Sequence, residues 1–157
     1  MRKLALAVIF FTVSNSLLAQ DSITNSRLTL ALQTYYQIKD ALAADDNRSA
    51  RKNATLFIEN LNGISYKIIS EGNVNTLLID AGTIANTDNI EKQRVAFANF
   101  SANMILLARN QKLTDKPAYI QYCPMKKASW LSNEKDIENP YYGSKMLTCG
   151  KVAETIQ

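Results

Sequence analysis

Between Asn25 and Asn110 apolar residues recur at three- and four-residue steps in four separate stretches, a spacing that lays them along one side of a helix. Leu28, Leu32, Tyr35, Ile38 and Leu42 mark the first, which starts at Asn25 or Ser26 and ends near Ala44. Asp45 and Asp46 are N-cap candidates for the second, whose face carries Ala50, Ala54, Phe57 and Leu61 and whose stop is Asn62-Gly63. A third helix follows over residues 73–85 through Leu77, Leu78, Ala81 and Ile84, until Thr87-Asp88 breaks the pattern. Asp88 with Glu91 reads as a capping pair for the fourth, which runs through Ile90, Phe97, Phe100, Met104 and Leu107 to Asn110. The segment from Ile64 to Ser70 has no clear period. Short connections between four amphipathic helices predict an antiparallel four-helix bundle over about residues 25–112.

After Pro117 the period drops to two: Ala118, Ile120 and Tyr122 alternate with Tyr119, Gln121 and Cys123, as in a short strand. Trp130-Leu131 and Met146-Leu147 are further extended candidates. Between them, Asn139-Pro140-Tyr141-Tyr142-Gly143 has proline and glycine placed for a turn. The expected architecture is mainly α, with a small irregular or β C-terminal cap over about residues 116–157 packed on the bundle.

The first nineteen residues have the parts of a secretory signal: Arg2 and Lys3, an apolar run from Leu4 to Val13, then Ser14 to Ala19 ahead of Gln20. The run is too short for a spanning helix, which needs about 20 apolar residues. A single exported domain over residues 20–157 is therefore expected, with the periplasm as its address and no stable membrane insertion once the leader is cut near Ala19/Gln20. Sixteen basic residues then face fourteen acidic ones, so the formal charge falls from +4 to +2 without Arg2 and Lys3. Lys126-Lys127 reads as a solvated turn, and no basic stripe suggests nucleic acid.

Histidine is absent from the chain. That removes Ser-His-Asp and Cys-His nucleophile systems and His-containing zinc sites. The carboxylates are scattered along helix faces and around Glu134, Asp136 and Glu138, and the five glycines form no phosphate-binding loop. The expectation is a protein that is not an enzyme.

Sulfur is where the sequence becomes specific. Cys123-Pro124-Met125 and Met146-Leu147-Thr148-Cys149 place a cysteine and a methionine together twice, in mirrored order, and Met104 reads as core. Two thiols and two thioethers suit a soft monovalent ion such as Cu(I) or Ag(I), because polarizable sulfur donors favour soft cations. Cys123 and Met125 share a face of an extended segment, and one helical turn or tight loop would align Met146 with Cys149. In the alternative, Cys123 and Cys149 form an ordinary disulfide closing a loop of about 27 residues, stabilising the fold by about 3.5 kcal/mol on the chain-entropy model. Trp130, Tyr122, Tyr141 and Tyr142 concentrate aromatic surface in the same segment. They read either as a small subcore or as a partner or ligand surface at Trp130, Tyr141 and Tyr142.

The stretches Tyr122-Cys123-Pro124-Met125, Trp130-Leu131-Ser132, Ile137 to Gly143 and Met146-Leu147-Thr148-Cys149-Gly150 together resemble an uncharacterised periplasmic domain family. That domain occurs alone or fused to adaptor subunits of copper- and silver-type heavy-metal efflux pumps. Tyr35-Tyr36, Leu42 to Asp46, Gln93-Arg94, Phe97 and Ser101 resemble its helical part. Between Met125 and Trp130 this chain carries Lys126-Lys127-Ala128-Ser129 where the family pattern has an inserted Gly or Asn. The resemblance implies a role in metal export or metal-stress handling, with an efflux adaptor or another envelope protein as partner. It supplies no catalytic residue.

Overall fold

The computed structural model describes residues 15–64 and 69–156, with side chains accounted for from Ser26 onward. Most of the expected leader, and the core of the stretch without a clear period, lie outside the described residues. Helix α1 spans Asn15–Ala43, α2 Asn47–Leu61, α3 Glu71–Ala85 and α4 Ile90–Asn110. Three strands follow, β1 Ala118–Cys123, β2 Ala128–Ser132 and β3 Lys151–Ile156, with a short 3-10 turn at Gly143–Lys145. Among the described residues no helix is long and apolar enough to cross a membrane.

Helix α1 begins at Asn15, ten residues before the expected start at Asn25. Residues 15–26 hold neither proline nor glycine, so nothing in the backbone chemistry stops the helix, and it runs through the expected cleavage point. Asp46 caps α2 by accepting the backbone N–H groups of Arg48 and Ser49. Ala50, Ala54, Phe57 and Leu61 are the buried face, as their spacing predicts. For α4 the capping residue is Asn89 and not Asp88: the Asn89 side chain accepts from the Lys92 N–H at 3.0 Å. Asp88 is occupied elsewhere, its carboxylate by Arg51 and its carbonyl by Asn47.

Each helix packs against the next in sequence, and α4 also carries β2. The interior is a row of rings. Phe57 meets Phe100 edge-on at 4.7 Å, Tyr35 stacks on Phe97 at 5.5 Å, and Phe97, Tyr141 and Trp130 follow at 5.8 Å steps. The row runs from α2 through α1 and α4 into the C-terminal segment without a break, so both parts share one core.

The strand order is β2-β1-β3, antiparallel throughout. Simple alternation along β1 does not hold, because Gln121 and Cys123 are buried and Tyr122 is half-buried. Helix α4 covers one face of the sheet and the segment after β2 covers the other. Gln121 spends its amide on the carbonyls of Glu134, Lys135 and Asp136, and a bulge shifts the β1–β3 register between Ile120 and Gln121. Met146 and Leu147 are not a strand; they follow the 3-10 turn. The third strand is Lys151–Ile156, whose side chains are nearly all exposed, so no apolar pattern announces it.

The fastening between the helices and the C-terminal segment is Arg94, which is buried on α4. Its Nε donates to the Pro140 carbonyl at 3.0 Å, and its Nη2 donates to the Leu42 carbonyl at 2.7 Å and to Asp45 Oδ1 at 2.5 Å. Asp45 Oδ2 in turn accepts the Ser144 N–H at 3.1 Å. Gly143 has φ of 57°, and a Cβ there would overlap both the guanidinium and the Asp45 carboxylate. The Asn139-to-Gly143 turn is built as its composition predicts, with Asn139 Oδ1 accepting from the Tyr141 N–H at 2.8 Å and its carbonyl accepting from the Gly143 N–H at 3.0 Å.

Replacing Arg94 with Met leaves two carbonyls and a carboxylate without their donor. A loss of about 3–5 kcal/mol is expected from urea unfolding, and a loss below 1 kcal/mol would show that the fastening is dispensable. Hydrogen bonding from Ser144, then from Arg94, lowers the Asp45 carboxyl to about 2. A carboxyl that titrates lower in the folded state contributes stability above its unfolded pKa and loses it as protons bind the folded form. The stability difference between wild type and Asp45→Asn should therefore be full above about pH 4 and shrink between pH 4 and pH 2. A difference independent of pH would exclude Asp45 as the titrating group.

Candidate functional site

Cys123 ends β1 and Cys149 lies two residues before β3. Because Tyr122 pairs with Lys151 across the ladder, the chain leading into β3 passes beside Cys123. Both cysteines are free thiols; Cys123 is fully buried and Cys149 is half-buried. The Cys149 thiol is pushed up from its ordinary value by burial first, then by hydrogen bonding to and charge repulsion from Cys123. Together with the Tyr122–Lys151 pairing, the hydrogen bond between Cys149 and Cys123 makes the two side chains neighbours.

Three local devices hold them there. The backbone N–H of Lys126 donates to Cys123 Sγ at 3.4 Å. That contact belongs to the tight Pro124-to-Lys127 turn, in which Lys127 has φ of 55° and occupies the left-handed position that Gly or Asn would usually fill. On the other side, Asn139 Nδ2 donates to the Cys149 carbonyl at 2.6 Å, and the Cys149 N–H donates to the Met146 carbonyl at 3.0 Å. Next to it, Gly150 has φ of 155° and lies so close to the sheet that a Cβ would sit 2.9 Å from Trp130 Cη2 and 3.1 Å from the Tyr122 carbonyl.

The thioethers are placed differently. Met125 is 64% exposed and Met146 36% exposed, each in a turn close in sequence to its cysteine, while Met104 is core. The structure thus brings Cys123 and Cys149 together and leaves Met125 and Met146 at the surface. Among the described residues no three His, Cys, Asp or Glu side chains converge as a metal site. Two thiols with thioethers nearby fit a soft monovalent ion, which sulfur alone can satisfy. They do not fit a structural zinc, which takes four N, S or O ligands.

Of the aromatics considered as a surface, Trp130 and Tyr141 are buried and belong to the core. Tyr142 is half-buried. Tyr141 donates its hydroxyl to the Ser129 carbonyl at 2.6 Å, and burial raises its pKa above the ordinary phenol value, with a further contribution from Cys123. Tyr141 and Cys123 belong to the same buried core. Tyr35 belongs to it too: its hydroxyl bonds Ser101 Oγ at 2.6 Å and accepts the Leu131 N–H at 3.0 Å, tying α1, α4 and β2 together. Trp130 Nε1 is buried with no partner among the described residues.

The polar residues that position this site were not picked out by periodicity. Arg94 and Ser101 stand on the same helical stripe as Ile90, Phe97, Met104 and Ala108, at alternating steps of four and three. A charged residue in such a stripe is the signal that a buried cation has its partners elsewhere in the chain. Lys39 is the same signal on α1, where it pairs with Asp40 at 2.5 Å and with Glu138 at 3.8 Å.

A family model described as a protein of unknown function, DUF3347, matches residues 31–116. This chain belongs to that family. No curated protein and no solved structure matches it. The DUF3347 match takes in Tyr35, Lys39, Asp45, Gln93, Arg94 and Ser101, and it ends two residues before β1. Cys123, Met125, Met146 and Cys149 lie beyond it. The matched part carries Arg94 and Asp45 of the fastening, and the part beyond it carries both cysteines with Met125 and Met146.

Gly150→Ala tests whether close approach at Gly150 seats Cys149. A Cβ at that position meets ring and backbone atoms in a conformation that side chains rarely adopt, so a loss of about 1–3 kcal/mol with altered Trp130 emission is expected. Unchanged stability and emission would mean that β3 does not depend on this contact.

Proposed function

We propose that this protein binds a soft monovalent metal, Cu(I) or Ag(I), through Cys123, Met125, Met146 and Cys149. It would buffer the ion or pass it to an export system in the periplasm without catalysing a reaction. The observation that carries this reading is the meeting of the two thiols at the end of β1. The Lys126 N–H donates to Cys123 Sγ and fixes the position of that sulfur at the end of β1. The buried rings of Trp130 and Tyr141 keep water from the core side of the pair. Met125 and Met146, exposed in the adjoining turns, are free to swing toward an ion held by the thiols. An ion arriving there would be cargo, bound from the surface and released to it. The resemblance to domains fused to copper and silver efflux adaptors supports an adaptor of that kind as the recipient.

The second reading is a disulfide-braced interaction module of the cell envelope. The same closeness of Cys123 and Cys149 favours it, since a bond there would clamp the sheet to the segment before β3. With Trp130 and Tyr141 in the core, its docking surface would lie around Tyr142.

Native mass spectrometry of the protein recovered anaerobically from copper-supplemented cells separates the two. The first reading expects one copper per chain with both cysteines uncrosslinked, and a Met125→Leu/Met146→Leu variant that binds on the order of 10- to 100-fold more weakly. A metal-free species two hydrogens lighter than the dithiol would instead support the brace. Undiminished affinity in the double variant would remove the thioethers from the site.

A further inference from the structure

Cys123 and Cys149 meet at one end of the sheet, where β1 stops and the chain turns into β3, but differ in access. Cys123 has no exposed surface, being enclosed by the Pro124-to-Lys127 turn and the core around Trp130 and Tyr141. Cys149 is half-buried and lies just after the 3-10 turn, so solvent and small solutes reach it first. A cysteine pair placed only to brace a fold gains nothing from leaving one partner open. A pair that reacts with something outside needs that asymmetry.

We propose that Cys123 and Cys149 are a redox-active pair that exchanges with low-molecular-weight disulfides, Cys149 being the entry thiol and Cys123 the resolving thiol. In the first step the Cys149 sulfur, the one of the two that a solute can reach, attacks one sulfur of the disulfide RS–SR; access and not acidity sets this order, since burial raises the Cys149 thiol. The S–S bond breaks, one RS group leaves and takes the proton that Cys149 gives up, and a mixed disulfide forms on Cys149. In the second step the Cys123 sulfur attacks Cys149 Sγ, expels the second RS group with the proton from Cys123, and closes the intramolecular bond. Two protein thiols are oxidised, and one RS–SR is reduced to two RSH.

Two further features serve this exchange. The Lys126 N–H donates to Cys123 Sγ and holds that sulfur in place for the second step. Trp130 Cη2 lies against Gly150, next to Cys149, so the redox state of the pair is reported by the chain's single tryptophan. The proposal rests on the pairing of the thiols and not on metal binding. Its test is therefore run on metal-free protein, and either idea can fail alone.

The full chain, reduced and freed of metal, is mixed with excess glutathione disulfide, quenched with acid at intervals and weighed intact. Wild type is expected to become two hydrogens lighter without accumulating an adduct. Cys123→Ala should accumulate a species one glutathione heavier, and Cys149→Ala should react at least about tenfold more slowly. Adding reduced glutathione should restore both the mass and the Trp130 emission of wild type. Pulse alkylation of reduced wild type with iodoacetamide needs no variant, and should label Cys149 at least about tenfold faster than Cys123. A wild type that does not react, one that collects glutathione without closing, or equal labelling of the two cysteines would overturn the proposal.

Discussion

A guanidinium cannot be buried without donors and charge being answered, and in this protein the long-range answers to Arg94 come from two separate parts of the chain. Leu42 at the end of α1, Asp45 in the turn before α2 and Pro140 in the C-terminal segment all converge on it from about fifty residues away. The Asp45 carboxylate then reaches Ser144, closing the circuit between the first turn of the chain and the last. Gly143 allows this, because any side chain there would occupy the place of the ion pair. Gln93, beside Arg94, does the same for the helix ends, giving its amide to the carbonyls of Asn47, Ile84 and Thr87. One turn of α4 thus sets where the helices end and where the C-terminal segment lies.

The thiol pair inherits its position from that arrangement. Tyr141 follows the proline whose carbonyl Arg94 holds, and it packs between Phe97 and Trp130. Trp130 receives Gly150, and Gly150 places Cys149 beside Cys123. Tyr35 fixes the same strand from the other side by taking the Leu131 N–H. The site is therefore supported by Tyr35, Arg94 and Phe97 from the DUF3347 part of the chain and by Trp130, Tyr141 and Gly150 beyond it, where Cys123 and Cys149 also lie.

Sulfur chemistry in such a place has few outcomes. Two adjacent thiols bind a soft ion, join to each other, or move between these states, and which prevails depends on what reaches the open side. Here a buried cysteine lies next to a half-buried one, with exposed thioethers in the neighbouring turns.

The helices were legible because their cores repeat with the helical period, and Asp46, Asn62-Gly63 and the Asn139-to-Gly143 turn could be read directly since local chemistry decides them. The mirrored Cys/Met order was equally plain. Other features depended on neighbours distant in sequence. Asp88 looked like a cap but was claimed by Arg51 and Asn47, leaving Asn89 to begin α4. The strand at β1 follows from its period of two, but burial does not alternate with it, since Gln121 and Cys123 are both buried. β3 has almost no buried side chain and exists through backbone pairing with β1, which no residue pattern encodes. The sequence by itself determined the helical periods, the turn chemistry and the supply of sulfur. Only the tertiary structure decided that two cysteines meet while two methionines stay at the surface, because that depends on where a buried arginine finds its carbonyls.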